Sequence, residues 1–213
     1  MTAERGEESA AARGRSGQGG RRATFAERRE RRAAIDDSTV VLEAAARFLE
    51  PRARSVTEVR RRLTGAGYRP DLVEGAITRM LELAMLDDEA FARAWIESRD
   101  RARPRGERAI RQELGLKGVD RSTVDLVLAE RREAVAGLTT DDGVTVSPDQ
   151  AAAERLLARN ARTLARIADP RQRRQRAYAL LARNGFDPEV CQTVAATAGA
   201  VEADDGGEDD SAP

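Results

Sequence analysis

A fifteen-residue pattern that occurs three times constrains this chain more than any other feature of its sequence. The first copy reads Val59-Arg60-Arg61-Arg62-Leu63-Thr64-Gly65-Ala66-Gly67-Tyr68-Arg69-Pro70-Asp71-Leu72-Val73. The second runs from Ile110 to Val124 and the third from Ala177 to Cys191. Each has an apolar or small residue, then a leucine four positions on (Leu63, Leu114, Leu181) and a glycine four after that (Gly67, Gly118, Gly185). An apolar residue comes next (Tyr68, Val119, Phe186), and another apolar residue or Cys191 follows five positions later. The i, i+4 pair puts two side chains on one helix face. The glycine falls where a helix C-terminus turns through a left-handed residue, and the apolar residue behind it folds back on the helix.

A second helix follows each glycine. Asp120 and Asp187 stand at N-cap positions, and Pro70 and Pro188 at the first helical position; Arg69 is a poorer cap in the first copy. Ser55-x-x-Glu58 is a capping box for the middle helix of the first copy. Upstream of each pair lies a third apolar stripe: Val41, Ala44, Ala45 and Phe48 after Ser38 or Thr39; Phe91, Trp95 and Ile96 after Asp88; Leu156, Leu157, Leu164 and Ile167 after Ser147 or Asp149. The expected fold is all-α, an elongated tandem array of three three-helix repeats. Its boundaries are 38–86, 87–134 and 149–200, with a flexible linker over 135–148. Residues 1–37 are expected to be a disordered charged tail and 201–213 an acidic disordered one, because neither can bury enough surface to offset ordering entropy. Thr24-x-x-Glu27 has capping-box spacing, so a short charged helix can start there, with little to pack on.

Composition narrows the chemistry. The 213 residues include no histidine and one cysteine, Cys191, so an imidazole base, a histidine-ligated metal site and an internal disulfide are excluded. There is no phosphate-binding glycine loop and no metal-ligand cluster, so an enzyme reading has no residues to stand on and no cofactor is expected. No stretch reaches the apolar length of a membrane span and the N-terminus lacks an apolar signal core, so a cytoplasmic protein is expected. Asp87-Asp88 reads as helix capping rather than catalysis, since adjacent residues do not share a helix face. Cys191 replaces an apolar residue of the repeat and reads as a small buried hydrophobe.

Lys+Arg and Asp+Glu are 37 each, but the balance varies along the chain. Residues 149–200 carry nine basic and five acidic groups, while 201–213 carry six acids and no base. All basic residues but Lys117 are arginine, which is consistent with GC-rich codon usage as well as with anion recognition. The run Arg99, Arg101, Arg103, Arg105, Arg108 and Arg111 is either a solvated face with local ion pairs or a surface for an anionic partner. Arg171, Arg173, Arg174 and Arg176 echo Arg60, Arg61 and Arg62, which suggests one basic face recurring along the array. The candidate contact residues are Arg60, Arg61, Arg99, Arg101, Arg103, Arg105, Arg108, Arg111, Lys117, Arg173 and Arg174.

Three motifs in order give a resemblance. Ser55-x-x-Glu58-Val59-x3-Leu63-x3-Gly67-Tyr68, Leu86-Asp87-Asp88-Glu89-x-Phe91-Ala92, and Gly106 through Glu113-Leu114-x-x-Lys117-Gly118-Val119-Asp120 resemble the RecX family, bacterial regulators of the RecA recombinase. The match covers residues 38–134 well and the third unit through Leu181-x3-Gly185-Phe186. The third unit departs from the pattern in its longer first helix and the insert before it. The resemblance implies tandem three-helix repeats without catalysis, a role in DNA repair, recombination and the SOS response, and a monomer that binds in the groove of the RecA–DNA filament and restrains its recombinase and ATPase activities. Two other readings stand beside it. Helix-turn-helix-like units with recurring arginines suit a protein that binds single- or double-stranded DNA directly. A helical-repeat adaptor for another protein would leave recombination untouched.

Overall fold

The computed structural model describes residues 23–136 and 147–200. Ten helices, and no strand among the described residues, follow one another along the chain. They are α1 (Phe25–Ala33), α2 (Ser38–Leu49), α3 (Val56–Ala66), α4 (Pro70–Glu82), α5 (Asp88–Ala102), α6 (Glu107–Leu116), α7 (Arg121–Ala136), α8 (Pro148–Ala165), α9 (Pro170–Arg183) and α10 (Pro188–Ala200). Helices α2–α4, α5–α7 and α8–α10 form three successive units, each around its own buried cluster. Leu63, Leu114 and Leu181, the leucines of the repeat, are buried at the centre of the three clusters.

The three glycines do the same thing in each unit. Gly67, Gly118 and Gly185 have φ of 102°, 77° and 81°, a conformation that a Cβ would strain. The amide after each reaches back to the leucine carbonyl: Tyr68 to Leu63, Val119 to Leu114 and Phe186 to Leu181, at 3.1–3.4 Å. The glycine amides themselves bond Thr64, Gly115 and Ala182. This is the paired hydrogen-bond pattern that stops a helix and turns the chain, here into the third helix of the unit.

Two helix starts, those of α2 and α5, differ by one residue from expectation, and the others resolve or add to it. Asp37, rather than Ser38 or Thr39, caps α2 by accepting the Thr39 amide. Asp87, not Asp88, caps α5, accepting from Glu89 and Ala90. Ser147 caps α8, which leaves Asp149 for another use. Asp169 caps α9, whose first residue is Pro170. Arg69 makes no side-chain cap, and instead forms ion pairs with Asp36 and Asp71.

The expected tail through residue 37 is corrected over its last part. The Thr24–Glu27 capping box does start a helix, α1, and α1 packs on α3. Arg29 lies directly against the Gly67 backbone, Arg32 Nη1 donates to the Ala66 carbonyl at 3.3 Å, and its guanidinium lies over the Tyr68 ring. What α1 covers is a helix end, with backbone groups and long arginine stems in place of an apolar stripe. The expected disorder of 1–22 and 201–213, and the linker core 137–146, lie outside the described residues; α7 runs to Ala136 and α8 begins at Pro148.

Candidate partner-binding surface

The units meet where the middle helices come end to end. The C-terminal cap of α6 sits on the N-terminus of α3, and that of α9 on the N-terminus of α6. At the first junction Ser55 Oγ donates to the Lys117 carbonyl at 2.6 Å and Thr57 Oγ1 to the Gly118 carbonyl at 3.1 Å. Lys117 Nζ pairs with Glu58 at 2.8 Å and lies over the Trp95 ring. At the second, the Gly106 amide bonds the Asn184 carbonyl at 3.1 Å and Arg105 Nη1 the Asn184 side chain at 2.7 Å. The backbones approach so closely that a Cβ on Gly106 would stand 2.2 Å from the Gly185 carbonyl oxygen, and one on Gly118 would stand 2.4 Å from Thr57. Carbonyl-rich helix ends thereby face amide-rich ones, so the helix dipoles run head to tail.

A carboxylate from the following unit completes each junction. Asp88 of α5 accepts the Val56 amide, the first of α3, at 2.9 Å. Asp149 of α8 accepts the Glu107 amide, the first of α6, at 3.0 Å. Asp149 also takes Arg131 Nη1 at 2.8 Å, and Arg131 forks onto Asp100 at 2.7 and 3.0 Å. Burial pushes both aspartates above the ordinary carboxylate range, against the pull of these donors. For Glu58 the balance goes the other way: burial is outweighed by Lys117, the Ser55 amide and Arg52, and the carboxyl is lowered.

With the junctions in place, the candidate arginines separate into two groups. Arg99 is bound to Glu113 at 2.6 Å and stacked on Trp95. Arg105 and Lys117 are junction residues, and Arg111 is engaged by Asp125 and Glu107. Arg173 is turned inward, 4% exposed, with its guanidinium on the Ile167 and Ala168 carbonyls. It belongs to the interior of the third unit and not to a recurring basic face. Arg60 is held by Glu74 through two hydrogen bonds, Arg101 by Glu97, and Arg61 reaches the Leu116 carbonyl, yet all three remain on the surface. Arg103, Arg108 and Arg174 are exposed and, among the described residues, have no acidic partner.

Sequence reasoning passed over Arg131 and Arg132, which hold the second junction through Asp100, Asp149 and Glu107. Their adjacency in α7 reads as surface charge, and only the fold brings Asp149 to them. It also left out Arg162 and Arg166, exposed at the end of α8, and Arg176 of α9 was noted but not chosen. The described residues hold no cluster of three or more potential metal ligands, and no helix is long and apolar enough to cross a membrane.

Three-helix units joined in series, with a charged surface and no assembled catalytic cluster among the described residues, define a tandem helical-repeat protein. Family models described as the first, second and third three-helix domains of RecX match residues 42–80, 87–128 and 148–194. The chain belongs to the RecX family. A Regulatory protein RecX of Mycobacterium avium is 29% identical over 151 residues, 70% of this chain and 80% of that one. A Regulatory protein RecX of Mycolicibacterium vanbaalenii is 30% identical over 147 residues, covering 66% and 72%. The crystal structure of RecX from Lactobacillus salivarius shares the fold, with a TM-score of 0.60 at 19% identity over 75% of this chain and 94% of that one.

Proposed function

We propose that this chain binds along the RecA–DNA filament and restrains its recombinase and ATPase activities, acting in the cytoplasm as a monomer without catalysis of its own. Membership of a family whose relatives are named regulatory proteins supports the regulatory part. The observation that carries the filament part is the pair of matched junctions. They join three units into one series, so weak contacts by each unit add through linkage on a partner that repeats. The contact residues are then Arg60, Arg61, Arg101, Arg103, Arg108 and Arg174, which stay on the surface; Arg99, Arg105, Arg111, Lys117 and Arg173 support the array itself.

The test is RecA ATPase on single-stranded DNA, titrated with this protein beside a DNA-only binding assay. Inhibition at concentrations that leave bare DNA unbound supports filament regulation, and Arg103→Glu with Arg108→Glu should weaken it. Tight binding to DNA alone, with a salt slope near −0.9 per phosphate contact, would favour direct DNA binding instead. Neither effect would leave an adaptor.

A further inference from the structure

The Phe48 ring of α2 carries two guanidinium groups. That of Arg54, in the connection from α2 to α3, lies 4.3 Å from the ring centroid, and that of Arg62 in α3 lies 5.6 Å from it. Neither has an acidic partner among the described residues. Where an arginine stacks on a ring elsewhere, an oxygen also holds it: Glu113 for Arg99 on Trp95, and the Ala66 carbonyl for Arg32 on Tyr68. Arg54 Nε is moreover buried, with no hydrogen-bond acceptor among the described residues. A charge partly removed from water and left without a counter-charge costs free energy, and it attracts an arriving carboxylate more strongly than a solvated one does.

Arg54 also lines a notch of about 280 Å³ between the first and second units. Most of the wall is apolar, from Leu49, Ala53, Ala84, Met85, Ala90 and Phe91. The turn after α4 shapes it. Ala84 has a φ of 52°, in the left-handed region, and the Met85 and Leu86 amides both bond the Met80 carbonyl. Leu86 is thereby sent into the core, while Met85 stays 48% exposed at the notch. Asp87 completes the lining, with its Oδ1 used by the Glu89 and Ala90 amides. The volume falls just below the roughly 300–1,000 Å³ of small-molecule sites, so it suits side chains. A methionine-bearing apolar wall beside a desolvated guanidinium fits a chain that offers an apolar side chain and a carboxylate together. A polyanion matches it poorly, because little of the wall is cationic and Asp87 repels it.

We infer that this notch docks an acidic, leucine-bearing peptide segment of a protein partner. A carboxylate of the segment pairs with Arg54, beside Arg62, and the neighbouring apolar side chain enters between Leu49, Met85 and Phe91. The site belongs to the first two units and is independent of the filament reading.

Methyl NMR of the full chain reads this site locally, because Met85 lines the notch while Met80 is fully buried. The probe is the blocked peptide acetyl-Gly-Ser-Asp-Leu-Glu-Leu-Ser-Gly-amide. On titration the Met85 methyl signal should shift saturably, with Met80 as the internal reference. Arg54→Gln should weaken the binding about tenfold, the worth of one charge-assisted hydrogen bond. Ala90→Glu should also weaken it, by placing a carboxylate in the notch without touching the Phe48 stack. Ala90 is exposed in the first turn of α5, where an acid suits the helix dipole, so this variant keeps its fold. Helicity by circular dichroism checks both variants. A peptide with Asn and Gln in place of its acids should lose most of the shift. A Met85 signal that ignores the acidic peptide, or answers the neutral one equally, overturns the inference. So does undiminished binding by both variants, or displacement of the peptide from Met85 by a single-stranded oligonucleotide.

Discussion

Asp88 and Asp149 occupy the same station in successive units. Each lies in the first turn of its unit's first helix, and each accepts the first amide of the preceding unit's middle helix, Val56 for Asp88 and Glu107 for Asp149. A helix start that would otherwise leave an unpartnered donor is thus completed from outside the unit. The two differ in one respect: Asp149 also holds the nearly buried Arg131, whereas Asp88 has no such partner.

That difference predicts unequal costs. Asp88→Ala removes one cap and should lower stability by about 0.5–2 kcal/mol. Asp149→Ala removes a cap and one of the two carboxylates on Arg131, which keeps its fork to Asp100, and should cost about 2–4 kcal/mol. Urea denaturation of the two variants measures both, and equal losses would show that Arg131 adds nothing at the second junction.

Gly106, the N-cap of α6, and Gly115 within it should respond in opposite directions to the same substitution. Gly106 has an ordinary φ of −74°, yet its Cβ would run into the Gly185 carbonyl. Gly106→Ala should therefore lose about 1–3 kcal/mol by forcing the second and third units apart. Gly115 has nothing within 4 Å of a Cβ and sits on the exposed face of the helix. Gly115→Ala should gain about 0.5–1 kcal/mol. Thermal unfolding of the pair distinguishes a crowded junction from a general intolerance of side chains in α6.

The repeat leucines give a third test. Leu63, Leu114 and Leu181 are buried in separate clusters, and truncation of any one to alanine should cost roughly 2–5 kcal/mol. Denaturant midpoints that do not move in any of the three variants would contradict the alignment of the units.

Acid should act on the first junction through Glu58. Its carboxyl is lowered from the ordinary 4.5, so folding favours the charged form. The stability it adds is present above 4.5 and is lost as pH falls through that value and below. Lys117→Met removes the principal opposing charge. The variant should be less stable than the parent at pH 7, with a shallower decline towards pH 3.5 in denaturation series run at each pH.

Much of this was legible from local pattern. The left-handed glycines, the leucines that face them and the Ser55–Glu58 capping box all depend on residues a few positions apart, and spacing alone reveals them. Asp88 and Asp149 were visible only as helix starters, because the amides they accept lie 32 and 42 residues upstream. Lys117 illustrates the converse. As the one lysine in an arginine-rich chain it drew attention as a partner contact, but its ammonium is occupied by Glu58 and Trp95. Charge in a sequence does not say whether the charge is free. Arg173 makes the same point more strongly, since a guanidinium can be buried when backbone carbonyls at a helix end receive it. The packing of α1 was missed because its contacts are made by arginine stems against a turn, which leaves no hydrophobic period to read.

Pro170 has a meaning beyond its helix. In α3 and α6 the first residue offers an N–H, and the next unit takes hold of it. In α9 that residue is a proline and has no hydrogen to give. An aspartate placed like Asp88 or Asp149 would find no donor hydrogen there, while at the opposite end α1 already covers the glycine turn corresponding to those at the two junctions. Head-to-tail assemblies of this geometry grow into fibres when both ends stay open. Here a pyrrolidine ring at one end of the row of middle helices and a short arginine-rich helix at the other occupy the two places that the internal junctions leave open for a neighbour.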